Sequence, residues 1–156
     1  MTSVSLGSSV PDFEILATGE KTVKLSDYRG KKVVLYFYPK DNTPGCTQEG
    51  QAFRDNIELF QQLNAVILGV SRDSVKMHEG FKCKQAFPFD LLSDQDESLC
   101  TLFDVIKMKN MYGKQVRGIE RSTFLIDESG VLVKEWRKLQ VKTHVADVIG
   151  FLQTAG

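Results

Sequence analysis

Apolar positions along this chain recur with two different periods, and the two periods take turns. Alternation every second residue, or an unbroken β-branched and aromatic run, predicts strands over residues 13–16, 22–25, 33–38, 66–70, 122–126 and 131–136. The run 33–38 is apolar throughout, which suits a central strand covered on both faces. Asp127-Glu128-Ser129-Gly130 supplies turn residues between the last two strands and predicts a hairpin there. Between the strands, helical spacing takes over. Thr43 suits an N-cap, and Pro44 suits the first position of a helix reaching about residue 63, with Phe53, Ile57 and Phe60 as its apolar stripe. Further helices are predicted from Asp73 or Ser74 to about 86, from 94 to about 103, and from about 143 to 152. Residues 104–120 show no clear period, contain Gly113 and Gly118, and read as a loop. The alternation predicts a three-layer α/β fold, a central mixed β-sheet flanked by helices, in one domain spanning residues 1–156.

Composition works mainly by exclusion. With 42% hydrophobic and 26% charged residues, the chain has the make-up of an ordinary globular domain. Lys plus Arg and Asp plus Glu are 20 each, so no basic face for nucleic acid is expected, and the short basic patches at 29–32 and 107–109 read as solvated charge. The N-terminal residues lack the charged start and apolar run of a secretory signal, and the run 33–38 is too short for a bilayer. A cytoplasmic protein without membrane contact is therefore expected. The glycines form no nucleotide-binding pattern, and Cys46, Cys83, Cys100 and His78 match no common zinc spacing, so neither cofactor nor metal is expected. His78 and His144 have no evident partner and are expected at the surface. Cys100, between Leu99 and Phe103 on an apolar helix, reads as structural.

One cysteine is placed differently. Stepping the first helix's stripe back from Phe53 reaches Gly50 and then Cys46, on the inward face at the helix start. Unpaired N–H groups and the positive end of the helix dipole favour a thiolate there. Gly45 leaves the neighbouring amides unshielded, and Pro39 and Pro44 stiffen the loop. The same position also suits an inert cysteine at the end of a core stripe, and the local pattern leaves both readings open.

A longer stretch adds to this. Pro39-Lys40-Asp41-Asn42-Thr43-Pro44-Gly45-Cys46 fits a P-x-x-x-T-x-x-C motif directly after a predicted strand. Val10-Pro11-Asp12-Phe13, Val34-Leu35-Tyr36-Phe37-Tyr38-Pro39, Phe53-Arg54-Asp55-Asn56, Leu91-Leu92-Ser93-Asp94 and Arg121-Ser122-Thr123-Phe124-Leu125-Ile126-Asp127 support it. From about residue 6 onward the chain thus resembles the peroxiredoxin family, in its bacterioferritin comigratory protein or peroxiredoxin Q branch. The resemblance implies a thioredoxin-like fold and reduction of hydrogen peroxide and organic hydroperoxides. It implies that Cys46 is the peroxidatic thiolate, oxidised to a sulfenic acid. Thr43 would hold the thiolate or peroxide through its hydroxyl, and Arg121 would supply a fixed positive charge. Pro39 and Pro44 would shield the pocket, with the Gly45 and Cys46 amides as oxyanion donors. Apart from the resemblance, Arg121 would read as a surface ion pair at a strand start.

Many members place a resolving cysteine five residues after the peroxidatic one, and here that position is Gln51. The other arrangement uses the following helix, where Cys83 stands between Lys82 and Lys84, whose charges ease thiolate formation. The resemblance thus implies a Cys46–Cys83 disulfide, reduced by thioredoxin or a similar dithiol, in a protein expected to be a monomer. Cys100 would be the substitute should Cys83 prove inert. A disulfide needs Cα atoms within about 7 Å, so both helices are expected to unwind locally during turnover. Gly80 inside the second helix costs about 1 kcal/mol relative to Ala and makes that segment the easier one to melt. Two alternatives stand beside this reading: a one-cysteine peroxidase resolved by an external thiol, and a redox-sensing interaction protein on a thioredoxin-like scaffold. A thioredoxin-type reductase is disfavoured because the sequence has no CxxC.

Overall fold

The apolar run around residue 35 becomes strand β3 (Lys32–Phe37), and the rest of the molecule is arranged around it. The computed structural model describes residues 4–155. The strand β4 (Ala65–Ser71) pairs with β3 in parallel, and β5 (Asp90–Ser93) pairs with β4 in parallel. On the other side β8 (Ser122–Ile126) runs antiparallel to β3, and β9 (Leu132–Arg137) antiparallel to β8. An antiparallel pair, β1 (Glu14–Ala17) and β2 (Lys21–Lys24), completes a seven-stranded mixed sheet of order β2-β1-β5-β4-β3-β8-β9. Side chains alternate across the strand, so β3 feeds two cores. Val33, Leu35 and Phe37 join one cluster with Leu68, Cys100, Phe103 and Phe124. Val34, Tyr36 and Tyr38 join the other, with Cys46, Phe53, Phe60, Phe81 and Val148. The second cluster is covered by α1 (Pro44–Asp55), α2 (Ile57–Gln62), α3 (Val75–Gln85) and α5 (Val141–Ala155). The first is covered in part by α4 (Ser98–Leu102) and a 3-10 turn at Leu25–Tyr28.

Several expectations need correction. The first long helix is two, divided at Asn56, whose side-chain amide donates to the Ala52 carbonyl at 2.8 Å. That carbonyl is the acceptor the Asn56 backbone amide would need for the helix to continue. The third helix starts at Ser98 rather than 94, because Glu97 lies in the left-handed region at φ 62°. Asp94 still caps it from outside, accepting the amides of Leu99 at 3.0 Å and Cys100 at 2.7 Å. The stretch before it contains β5 (Asp90–Ser93), whose four residues are too few to show a period. The expected loop 104–120 is a hairpin, β6 (Ile106–Met111) paired with β7 (Lys114–Ile119). Its turn, Tyr112-Gly113, takes φ 53° and 79°, the two left-handed residues that a tight hairpin requires.

The histidines expected at the surface are both buried. His144 on α5 is 2% exposed, with Nε2 2.7 Å from the Thr123 hydroxyl and its ring edge-on to Phe53 and Trp136. Burial pulls its pKa from 6.5 down to about 4, against the opposing influence of Asp147. The folded value lies below the unfolded one, so this group's stability is present above pH 6.5 and is lost as pH falls through about 4. The difference corresponds to roughly 3 kcal/mol. Urea unfolding midpoints should therefore drop between pH 6.5 and 4, and His144→Gln should flatten that drop. An unchanged slope in the variant would rule the assignment out.

Two glycines in helices offer a paired stability test. A Cβ at Gly50 would fall 2.3 Å from the Phe87 ring, whereas one at Gly80 would meet nothing within 4 Å. Gly50→Ala should destabilise by about 1–3 kcal/mol through overpacking. Gly80→Ala should stabilise by about 0.5–1 kcal/mol through helix propensity. Denaturant titration of the two variants reads both signs at once.

Candidate active site

Strand β3 ends against Ser122, its Cα partner opposite Phe37, so the residue before Ser122 is delivered beside the loop that leaves β3. That residue is Arg121. The loop runs from half-buried Pro39 to Thr43, which takes extended φ −84°, ψ 154° at the N-cap of α1, and Pro44 opens the helix. The Thr43 hydroxyl does not cap; it donates to the Lys40 carbonyl at 2.8 Å. Its lone pairs therefore remain free to accept. Gly45 and Cys46 occupy the first turn, where a helix offers no acceptor for their amides. Cys46 is 2% exposed, at the end of the apolar stripe that continues through Gly50 and Phe53.

Arg121 closes the site from the sheet side. Its Nη2 lies 3.4 Å from Cys46 Sγ, and its Nη1 donates to Glu49 Oε1 at 2.7 Å. Gly45 makes this approach possible, since a Cβ there would sit 3.2 Å from Nη2. Glu49 is fully buried one turn into α1, and its second oxygen has no hydrogen-bond partner. Burial pushes its carboxyl up to about 7 even though the guanidinium opposes the shift. For Arg121, burial acts to lower the pKa, but Glu49 and Cys46 outweigh it and the guanidinium is raised further. Sequence reasoning missed Glu49. The available signal was its spacing, three residues after Cys46 and so on the same side of the helix.

Beside this cluster the β6–β7 hairpin brings in Lys109, whose amine donates to the Ile119 carbonyl. Burial, and then the nearby Arg121 charge, lowers its pKa. Lys107, Met108, Lys109, Glu120, Arg121 and Leu139 line a cleft there.

Cys83 is not part of the cluster. It is an exposed thiol on α3, in a shallow depression with Glu79, Lys82 and Phe87, and Cys46 and Cys83 are both free. The two helices meet through other residues: Gln51 Nε2 donates to Gln85 Oε1 and Arg54 Nη1 to the Gln85 carbonyl, each at 2.8 Å. Gln51 thus links α1 to the helix that carries Cys83. Cys100 is completely buried, and its thiol pKa is pushed well up by burial and then by Asp94. That environment fits a structural cysteine. Among the described residues, Asp41, Asp73 and His78 bring donor atoms within 4.8 Å of one another, but they are already engaged with each other and their neighbours. No helix among the described residues is long and apolar enough to cross a membrane.

Residues 6–135 match the AhpC/TSA family model. Peroxiredoxin Bcp of Bacillus subtilis is 54% identical over 151 residues, covering 97% of this chain and 96% of the relative. A solved structure of the Xanthomonas campestris bacterioferritin comigratory protein, studied for its alkyl peroxide reduction, superposes with a TM-score of 0.90 at 48% identity, covering 99% of each chain. A cysteine-to-serine mutant of Xylella fastidiosa PrxQ gives a TM-score of 0.93 at 45% identity, again over 99% of each. With a thioredoxin-like mixed sheet and this match along nearly its whole length, the chain belongs to the AhpC/TSA family, in the Bcp/PrxQ branch of the peroxiredoxins.

Proposed function

We propose that the protein is a thiol-dependent peroxidase in which Cys46 reduces hydrogen peroxide and organic hydroperoxides. The observation that carries this is the Arg121 guanidinium, 3.4 Å from a sulfur held in the first turn of α1. A fixed cation and free helix amides both favour negative charge on that sulfur. The Cys46 sulfur attacks one peroxide oxygen, the S–O bond forms and the O–O bond breaks. The departing alkoxide or hydroxide takes up a proton as alcohol or water, leaving a sulfenic acid. Arg121 and the Gly45 and Cys46 amides stabilise the developing oxyanion. Thr43, whose hydroxyl already donates to the Lys40 carbonyl, accepts a hydrogen bond from the O–H of the incoming hydroperoxide. Pro39 and Pro44 close the loop over the thiol.

Cys83 then resolves the sulfenic acid as an intramolecular disulfide, and thioredoxin or a similar dithiol reduces it. Its exposure supports that role, since the resolving sulfur must also meet the reductant. Because Cys46 is buried and Cys83 lies on another helix, the disulfide requires local unwinding. That separation also supports a second reading, a one-cysteine peroxidase resolved by an external thiol. The protein acts as a cytoplasmic monomer, and three free cysteines suit a reducing compartment.

Cys46→Ser should abolish peroxide consumption. Arg121→Gln should slow the reaction of the reduced enzyme with peroxide by about 10²–10³-fold, read by stopped-flow fluorescence, as for loss of one oxyanion donor. A variant within threefold of wild type would remove the argument for this site. Non-reducing peptide mapping after one equivalent of peroxide should recover a Cys46–Cys83 peptide. Cys83→Ser should complete one turnover yet fail to recycle with thioredoxin; full recycling would favour the one-cysteine reading.

A further inference from the structure

Helix α3 is fastened very differently at its two ends. At its start, Ser74 accepts the Met77 amide at 3.2 Å, and His78 is fully buried. The His78 ring bridges two other elements: Nε2 lies 2.9 Å from the Leu92 carbonyl of β5, and Nδ1 lies 2.7 Å from Asp41 Oδ2. A carbonyl can only accept, so Nε2 carries a hydrogen, and Nδ1 and the Asp41 carboxyl share one proton between them. Asp41 belongs to the loop that presents Cys46. Its other oxygen accepts the Tyr38 hydroxyl at 2.6 Å, and its amide donates to Asp73 at 2.9 Å. The side chains of Asp41 and His78 have no exposure at all. One buried joint therefore ties together the end of β3, the Cys46 loop, the turn before α3, the first turn of α3, and β5.

Past Gly80 the attachment changes. No neighbour requires a glycine there, since a Cβ would meet nothing. Phe81 is the one buried residue beyond it on the helix, and Cys83 is exposed. The remaining ties are partly exposed, Lys82 to Asp90 and Gln85 to Gln51 and Arg54. Contacts of that kind contribute little, whereas parting a buried hydrogen-bonded pair strands an unpaired polar group away from water.

We propose that the His78–Asp41 pair is a latch that keeps the first turn of α3 locked to the Cys46 loop while α3 beyond Gly80 unwinds to carry Cys83 to Cys46. The latch is the fixed point between two mobile segments, the first turn of α1 on one side and the second half of α3 on the other. His78 is thus a positioning residue for the resolving step and touches no reacting atom. The proposal rests on the Cys46–Cys83 reading above. In that step the Cys83 sulfur bonds to the Cys46 sulfur, the S–O bond of the sulfenic acid breaks, and the leaving hydroxide takes the Cys83 proton as water.

The test is segment-resolved amide hydrogen exchange on the reduced and the peroxide-oxidised full-length protein, with peptide mapping of the same samples. In the oxidised wild type, amides 82–85 should lose protection by at least about tenfold, while amides 77–79 stay within about threefold of the reduced form. In His78→Gln, both segments should lose protection on oxidation. Leu152→Ala, a core variant remote in sequence from α3, should still keep 77–79 protected, which separates latching from general destabilisation. Equal loss across both segments in the wild type would overturn the latch, and this arm stands even if His78→Gln does not fold. Retained protection at 77–79 in a folded, oxidised His78→Gln would overturn it as well. Mapping that finds no Cys46–Cys83 bond would instead overturn the pairing, and the latch proposal with it.

Discussion

The site depends on where one guanidinium is held. Arg121 reaches Cys46 and Glu49 at once because its strand starts level with the end of β3, and because Gly45 leaves room against the first turn of α1. Each of these conditions belongs to a different part of the fold. The register of β8 on β3 sets the depth of the arginine, and the loop between β3 and α1 sets the depth of the sulfur. Glu49 then restrains the guanidinium from the helix side. A buried ion pair is weak evidence for stability, since desolvation can consume its Coulombic gain. What Glu49 contributes here is geometry: it holds one prong of a planar fork, Nη1, while the other prong, Nη2, is turned to the sulfur.

The same cluster explains why the carboxyl is so strongly perturbed. With one oxygen on Arg121 and the other lacking a partner in an apolar setting, ionisation is opposed more by burial than it is helped by the cation. The Glu49 charge lies close enough to Tyr36 to help raise its hydroxyl, after burial, and Tyr36 stacks on Phe53 with ring centroids 4.7 Å apart. A core packed this closely resists deformation, so movement is confined to elements that are loosely held. The contrast between the buried start of α3 and its exposed second half is a contrast of that kind.

Much of the fold was legible in the pattern of the chain. Six strands of the central sheet, the start of α1 at Thr43-Pro44, and the inward placement of Cys46 all follow from spacing, because a helix stripe and a strand alternation are local properties. Elements of marginal signal were misread. The β6–β7 hairpin alternates Ile106 and Met108 with Lys107 and Lys109, but much of it is exposed, so hydrophobic contrast is faint and its turn glycine reads as loop. The division at Asn56 was hidden because a side chain competing for a carbonyl leaves the apolar stripe intact.

What the sequence alone determined is six strands of the central sheet and the helices between them, the alternating faces of those strands, and a cysteine at a helix start behind a stiffened loop. Only the tertiary structure decided which distant groups meet that cysteine. Glu49 is buried rather than solvated because Arg121, 72 residues away in the chain, lies over it. His78 is buried rather than exposed because Asp41 and the Leu92 carbonyl supply partners from two other elements. A charged or polar side chain goes inside only where the fold delivers its partner, and no spacing along the chain records that meeting.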